Sequence, residues 1–200
     1  MPAARSSSFA RTDVTLVDAA VAPFDGVAGM PPGIGRNAVA LPMPADCDEW
    51  YESYATVVED GALPVDVAVL LLGYAPLVDR QVAGRWIGPC ETLSWYIDDL
   101  GARVAYLRAH VDRVVLAVPS WGGSKASFLS SEDHLTRMGC IRAGLTAYAT
   151  RADLDTVDLA TLLCPSGPQG QCDQLREHDG VHVDPDDAPM VLEWLLDHVV

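Results

Sequence analysis

A three-layer α/β domain, with helices on both faces of a mainly parallel sheet, is the fold this sequence predicts, and three observations lead there. Four short apolar runs alternate with longer segments whose apolar residues recur every three or four positions, the pattern of strands alternating with amphipathic helices. The second run, Val65 to Gly73, reads Val-Asp-Val-Ala-Val-Leu-Leu-Leu-Gly. It is almost continuously apolar and rich in β-branched residues, which suits a strand covered on both faces. The chain has 200 residues, 50% of them hydrophobic and 20% charged; a domain of this size buries about 70% of its unfolded surface, so a full core is available without staples.

The first run, Val14 to Ala22, is expected to be a strand. After it, residues 23 to 45 carry Pro23, Gly26, Gly29, Pro31, Pro32, Gly33, Gly35, Pro42 and Pro44, which read as one long loop. In a parallel sheet such a loop usually lies over the carboxyl ends of the strands, where ligands bind. Asp46 to Glu59 is a predicted helix with Trp50, Tyr54, Val57 and Val58 on one face. The strand at Val65 to Gly73 follows, then a helix over Glu91 to His110 (Leu93, Tyr96, Leu100, Val104, Leu107) and a strand over Arg113 to Pro119. Glu132 to Arg151 repeats the helical spacing with Leu135, Met138, Ile141, Leu145 and Tyr148, and Asp155 to Leu159 is the last predicted strand. In the closing segment, Asp184 to Val200, Asp184 can cap a helix whose first residue is Pro185, and Asp186 and Asp187 then face the positive end of its dipole. Pro189 makes that helix kink or restart. No repeat, linker or low-complexity tract is present, so residues 1–200 read as one domain, with 1–11 a disordered end or a helix remnant.

Thirteen basic residues, only Lys125 among them a lysine, face 28 acidic ones for a net charge of −15. A surface this acidic repels phosphate backbones and anionic headgroups, which argues against nucleic acid and membrane surfaces as partners. No apolar stretch is long enough to span a bilayer, and the first residues lack the apolar core of a signal peptide. Of the cysteines at 47, 90, 140, 164 and 172, Cys164 and Cys172 flank a Pro/Gly turn that can bring them together. Such a bridge implies an oxidising compartment. Cys47 with Cys90 is a second candidate pair, and Cys140, inside a helical pattern, reads as a buried thiol.

The stretch richest in chemistry is His178-Asp179-Gly180-Val181-His182-Val183-Asp184-Pro185. Three residues apart ahead of a helix, Asp179 can accept a hydrogen bond from the His182 Nδ1 and leave Nε2 free as a general base. The plainer reading is an acidic helix start with a surface histidine. Ser120, at the end of its strand before Trp121-Gly122-Gly123, is a candidate internal nucleophile, although Val118 stands where a nucleophile elbow needs glycine. His178 and His182 with Cys164 and Cys172 offer four zinc-ligand types, but in a spacing unlike zinc fingers, and no metal site is assigned. Arg80, Arg85 and Trp86 lie just beyond the Gly73 strand, where arginine can grip a carboxylate or hydroxyls and tryptophan can stack on a sugar or acyl face. Salt bridging and packing explain them equally. His110 and His134 read as surface or satisfied side chains.

Several of these segments together resemble the SGNH hydrolase superfamily of flavodoxin-like ester hydrolases. The chain is most similar to the extracytoplasmic SGNH domains of family-three membrane acyltransferases. The resemblance rests on Leu70-Leu71-Leu72-Gly73 with Val78-Asp79-Arg80 and Gly84-Arg85-Trp86, on Val157-Asp158-Leu159 through Leu163-Cys164-Pro165, and on Asp179-Gly180-Val181-His182 running into Glu193-Trp194-Leu195. It implies His182 as the base, Asp179 as its orienting partner, and a serine of a Gly-Asp-Ser motif as nucleophile, with no cofactor. It also implies oxyanion and substrate contacts near Gly26, Gly73 and Tyr74, with Arg80 and Trp86 beside the substrate, an acylated carbohydrate or other small ester. Two departures stand out: no Gly-Asp-Ser occurs in the sequence, and Ala75 occupies the position of the family's oxyanion asparagine. The expectation is therefore a sheet lacking its first strand, the serine lying on a strand upstream of Met1 in a longer, extracytoplasmic, membrane-tethered protein. The alternative is a complete cytoplasmic chain that is catalytically silent and serves carbohydrate binding or scaffolding.

Overall fold

A computed structural model of the chain describes residues 33–34, 40–41, 54–56, 58–59, 64–71, 80–82, 85–122, 131–167, 172, 174–176 and 182–199. In chain order its elements are β1 (Gly33–Ile34), β2 (Ala40–Leu41), β3 (Val67–Leu71), β4 (Arg80–Val82), β5 (Arg85–Ile87), α1 (Pro89–Arg108), β6 (Arg113–Val118), α2 (Ser131–Ala152), β7 (Asp155–Asp158), α3 (Ala160–Leu163) and α4 (Ala188–Val199). Three strands form the main sheet in the order β3-β6-β7. Both pairings are parallel, Val67 opposite Arg113 and Val115 opposite Asp155.

Alternation along β6 makes the layers. Val114 and Leu116 join Leu70 of β3 in a core shared with Leu100, Val104 and Leu107 of α1 and Met138, Ile141 and Leu145 of α2. Val115 and Ala117 point the other way and meet Val157, Leu195 and Val199. Successive strand residues face opposite sides, so a strand with five consecutive buried residues, Val114 to Val118, must be covered twice. The result is the predicted three-layer α/β fold: α1 and α2 on one face of a parallel sheet, α4 on the other.

The structure also corrects particulars. The segment expected as one long loop contains a short antiparallel pair, Gly33–Ile34 against Ala40–Leu41. Another hairpin, β4 with β5, occupies the stretch between Gly73 and the first long helix. The terminal helix begins at Ala188 instead of Pro185, next to the Pro189 where a kink or restart was expected: the Asp184 side chain accepts the Asp186 amide at 3.0 Å, and its carbonyl accepts those of Asp187 and Ala188. Residues 185–187 are thus a turn, and Pro189 falls in the first turn of α4, where a missing N–H leaves no bond unmade. Cys140 is not a free thiol. It is bonded to Cys90, with Cα atoms 5.8 Å apart, because the start of α1 packs against the middle of α2. That pairing also replaces Cys47 with Cys90. Cys164 and Cys172 are joined as expected. The run Val14 to Ala22 and most of the helix expected over Asp46 to Glu59 lie outside the described residues; within the latter, 54–56 and 58 are helical.

Candidate active site

Because β3, β6 and β7 are parallel, their carboxyl ends share one edge of the sheet, the side on which open α/β sheets bind ligands. Beyond β6 the chain continues as Pro119-Ser120-Trp121-Gly122, and beyond β7 as Leu159 and α3, with the Leu159 amide still bonded to the Val118 carbonyl at 3.1 Å.

Two arginines organise this edge. Arg142, from α2, donates to the Asp158 carboxylate at 2.6 Å and to the Pro119 carbonyl, while its guanidinium lies 5.1 Å from the Trp121 ring centre. Burial pushes the Asp158 carboxyl up, but the Arg142 hydrogen bond, the Ala160 amide at 2.9 Å and the Arg142 charge outweigh it and hold the group below the usual aspartate range. Arg176 is buried. Its guanidinium donates to the Ser120 hydroxyl, to the Trp121 carbonyl at 2.9 Å and to the Cys172 carbonyl at 3.2 Å. Cys172 is in turn tied to Cys164 at the end of α3.

The main chain at Arg176 pairs with Val183 in an antiparallel bridge, and the Asp184 amide donates to the Leu175 carbonyl at 3.0 Å. Residues 176 and 183 therefore close the base of the loop that carries the Asp-x-x-His segment, and exposed His182 sits one position inside that closure. Asp179, its expected partner, lies outside the described residues, as do Gly26, Gly73 and Tyr74. Arg80 opens β4, and nothing is described of its side chain. Trp86 stands on β5 and is 40% exposed. Arg85, its neighbour, pairs with Glu91 at 2.9 Å, the salt bridge that was its plainer reading.

The structure engages Ser120 otherwise than as a nucleophile. It is 1% exposed, its hydroxyl donates to the Trp121 carbonyl at 3.1 Å and it accepts from Arg176. The sulfurs that the zinc alternative needed are bonded to each other, and among the described residues no group of three His, Cys, Asp or Glu is placed to hold a metal ion. Sequence reading missed Arg142 and Arg176. Both are members of an arginine set that an acid-rich chain is expected to keep in water, and nothing in their spacing announces that Arg176 is buried.

No family model matches the chain, and no curated protein matches it. Among solved structures it is similar to the crystal structure of a "putative acylhydrolase" from Bacteroides fragilis, with a TM-score of 0.52 and 16% identity over 75% of this chain and 67% of that one. At that identity the likeness speaks for the fold alone, a mixed α/β architecture with an open, flavodoxin-like parallel sheet.

Proposed function

We propose that this chain is an SGNH-type domain for ester hydrolysis or O-acyl transfer on acylated cell-envelope glycans, with His182 as the general base and Asp179 as its orienting carboxylate. One observation carries the reading: exposed His182 is held at the closure of a loop whose base Arg176 ties to Ser120 and Trp121, beyond the carboxyl end of β6. The Bacteroides fragilis acylhydrolase-like fold supports it.

In this chemistry His182 takes the proton of a serine hydroxyl as the oxygen attacks the ester carbonyl. Backbone amides, with Gly26 and Gly73 as candidates and Tyr74 beside them, stabilise the tetrahedral oxyanion. Collapse breaks the bond to the alcohol oxygen, which leaves with the proton from His182. Water or a sugar hydroxyl then removes the acyl group by the same steps. No Gly-Asp-Ser occurs in this sequence, so the nucleophile serine is assigned to none of its residues. Trp86, exposed, offers a stacking face for a sugar, and Arg80 a donor for its hydroxyls. Two cystine bridges suit an oxidising compartment outside the cytoplasm. Among the described residues no helix is long and apolar enough to cross a membrane; the family resemblance, and not that observation, is what suggests a linked membrane acyltransferase domain.

The engagement of Ser120 favours a second reading, a silent domain that recognises carbohydrate, because the serine best placed at a strand end has its hydroxyl committed. Reading the frame upstream of Met1 and assaying the whole encoded protein on short-chain aryl esters separates the two. A strand ending in Gly-Asp-Ser, with turnover lost in His182→Ala, is the expected result. A stop codon together with no turnover establishes the silent domain.

A further inference from the structure

We infer that Arg176 is a positioning residue for His182, a role that rests on the reading of His182 as the base. The side chain and the main chain of this one residue do different things. The guanidinium, in a residue only 8% exposed, spans the Ser120 hydroxyl and Trp121 carbonyl on one side and the Cys172 carbonyl on the other. The backbone bridges to Val183, the residue after His182.

Rigid sheet and catalytic loop are thereby joined through a single residue. Its Nη2 is fixed to the segment leaving β6, and its peptide group closes the histidine loop. The Cys164–Cys172 bond holds the third acceptor, so the guanidinium cannot swing without breaking a bond at each end. A histidine that must meet a hydroxyl within hydrogen-bond reach needs its backbone held to a fraction of an ångström. His182 is itself exposed and has little burial of its own to do that. Lysine keeps the charge but lacks the planar fork that reaches three acceptors at once.

The test compares Arg176→Met and Arg176→Lys with the wild-type protein by imidazole NMR and amide hydrogen exchange, neither of which depends on turnover. Arg176→Met is expected to move the His182 ring resonance toward that of an unstructured histidine and to speed exchange of the Asp184 amide about tenfold or more. The resonances of His110 and His198, each bonded to a carbonyl one helical turn back, stay in place, and Arg176→Lys falls between. A folded Arg176→Met protein with unchanged His182 resonance and Asp184 exchange overturns the inference. Should that variant unfold, with His110 and His198 collapsing too, the wild-type protein decides. Asp184 protection within about tenfold of the β6 amides upholds the clamp, and unprotected exchange overturns it. Where esters are turned over, Arg176→Lys lowers kcat with little change in KM. Absence of all turnover removes the base assignment while leaving the NMR and exchange results to judge the clamp.

Discussion

Arg142 donates to Asp158 at 2.6 Å and, with its other terminal nitrogen, to the carbonyl of Pro119, so that one guanidinium joins the ends of two adjacent parallel strands. This is an economical solution for an edge where two chain segments leave the sheet and their polar groups need partners. It also keeps Trp121 in place, since the same guanidinium lies over its ring.

A pH dependence follows. The Asp158 carboxyl is held below its unfolded value, despite burial, by Arg142 and the Ala160 amide. A carboxyl depressed on folding contributes stability that is present above its unfolded pKa and lost as pH falls through the folded one. Asp158→Asn is therefore expected to lower stability at pH 7 and to lose less on acidification than the wild type does. Urea unfolding at neutral pH and at about pH 3, the range below the ordinary aspartate value, measures both. Equal acid sensitivity in the two proteins contradicts the assignment.

A second ion pair is placed where water scarcely reaches. Arg103 and Asp99, one turn apart on α1, meet at 2.8 Å with side chains 10% and 4% exposed, and Arg103 also lies 6.0 Å from the Tyr54 ring. Removing one member of a buried pair strands the other, at a cost of about 3 kcal/mol or more, whereas replacing both with apolar residues is often nearly neutral. Asp99→Ala is expected to lower the urea midpoint strongly. Asp99→Leu with Arg103→Met recovers most of the loss, and a double variant as unstable as the single one would refute that account.

How much of this was legible follows from what each feature depends on. The alternation of apolar runs and helical spacings foretold β3, β6, β7, α1 and α2 within a few residues, because burial on two faces writes itself into Val-Val-Leu-Ala-Val and into Leu100, Val104 and Leu107. The strand pairs Gly33–Ile34 with Ala40–Leu41 and Arg80–Val82 with Arg85–Ile87 were missed, since segments of two or three residues have no period to read. Cys90 with Cys140 depends on how α1 docks against α2, a relation between elements that neither helix pattern contains. The same holds for Arg142 and Arg176, whose partners are main-chain carbonyls and side chains up to 56 positions away. The Asp179 to His182 segment was recognisable by its residue types, and its closure by Arg176 and Val183 was not.

The two disulfides should differ in worth. In the loop-entropy view a bond closing about 50 residues stabilises by about 4 kcal/mol and one closing about 8 by about 2.5 kcal/mol, and the separations here are 50 for Cys90–Cys140 and 8 for Cys164–Cys172. Replacing both cysteines of the long loop by serine is thus expected to destabilise more than doing so for the short one. Thermal unfolding of the two double variants provides the comparison. The opposite order would mean that the short bridge stabilises chiefly through the Cys172 carbonyl it presents to Arg176.

The contact between α1 and α2 is set by a glycine. A Cβ placed on Gly144 would lie 2.1 Å from Leu93 Cδ2 and 3.2 Å from its Cγ, so the helices approach at a point where only hydrogen fits. Two effects then compete in Gly144→Ala. Alanine favours a helix interior by about 1 kcal/mol over glycine, and overpacking costs about 1–3 kcal/mol when a neighbour must leave its rotamer. Leu93 is only partly buried and its Cδ2 methyl can turn away, but its Cγ, at 3.2 Å, must also give by a few tenths of an ångström, which moves the side chain from its packed position. Overpacking wins, and Gly144→Ala is expected to destabilise by about 1 kcal/mol. In a Leu93→Ala background the obstruction is gone and only the helix preference remains, so the same substitution becomes stabilising by up to about 1 kcal/mol. A double-mutant cycle measured by urea unfolding reads this reversal of sign directly; an effect of the same sign in both backgrounds would show that Gly144 is there for a reason other than the close approach of Leu93.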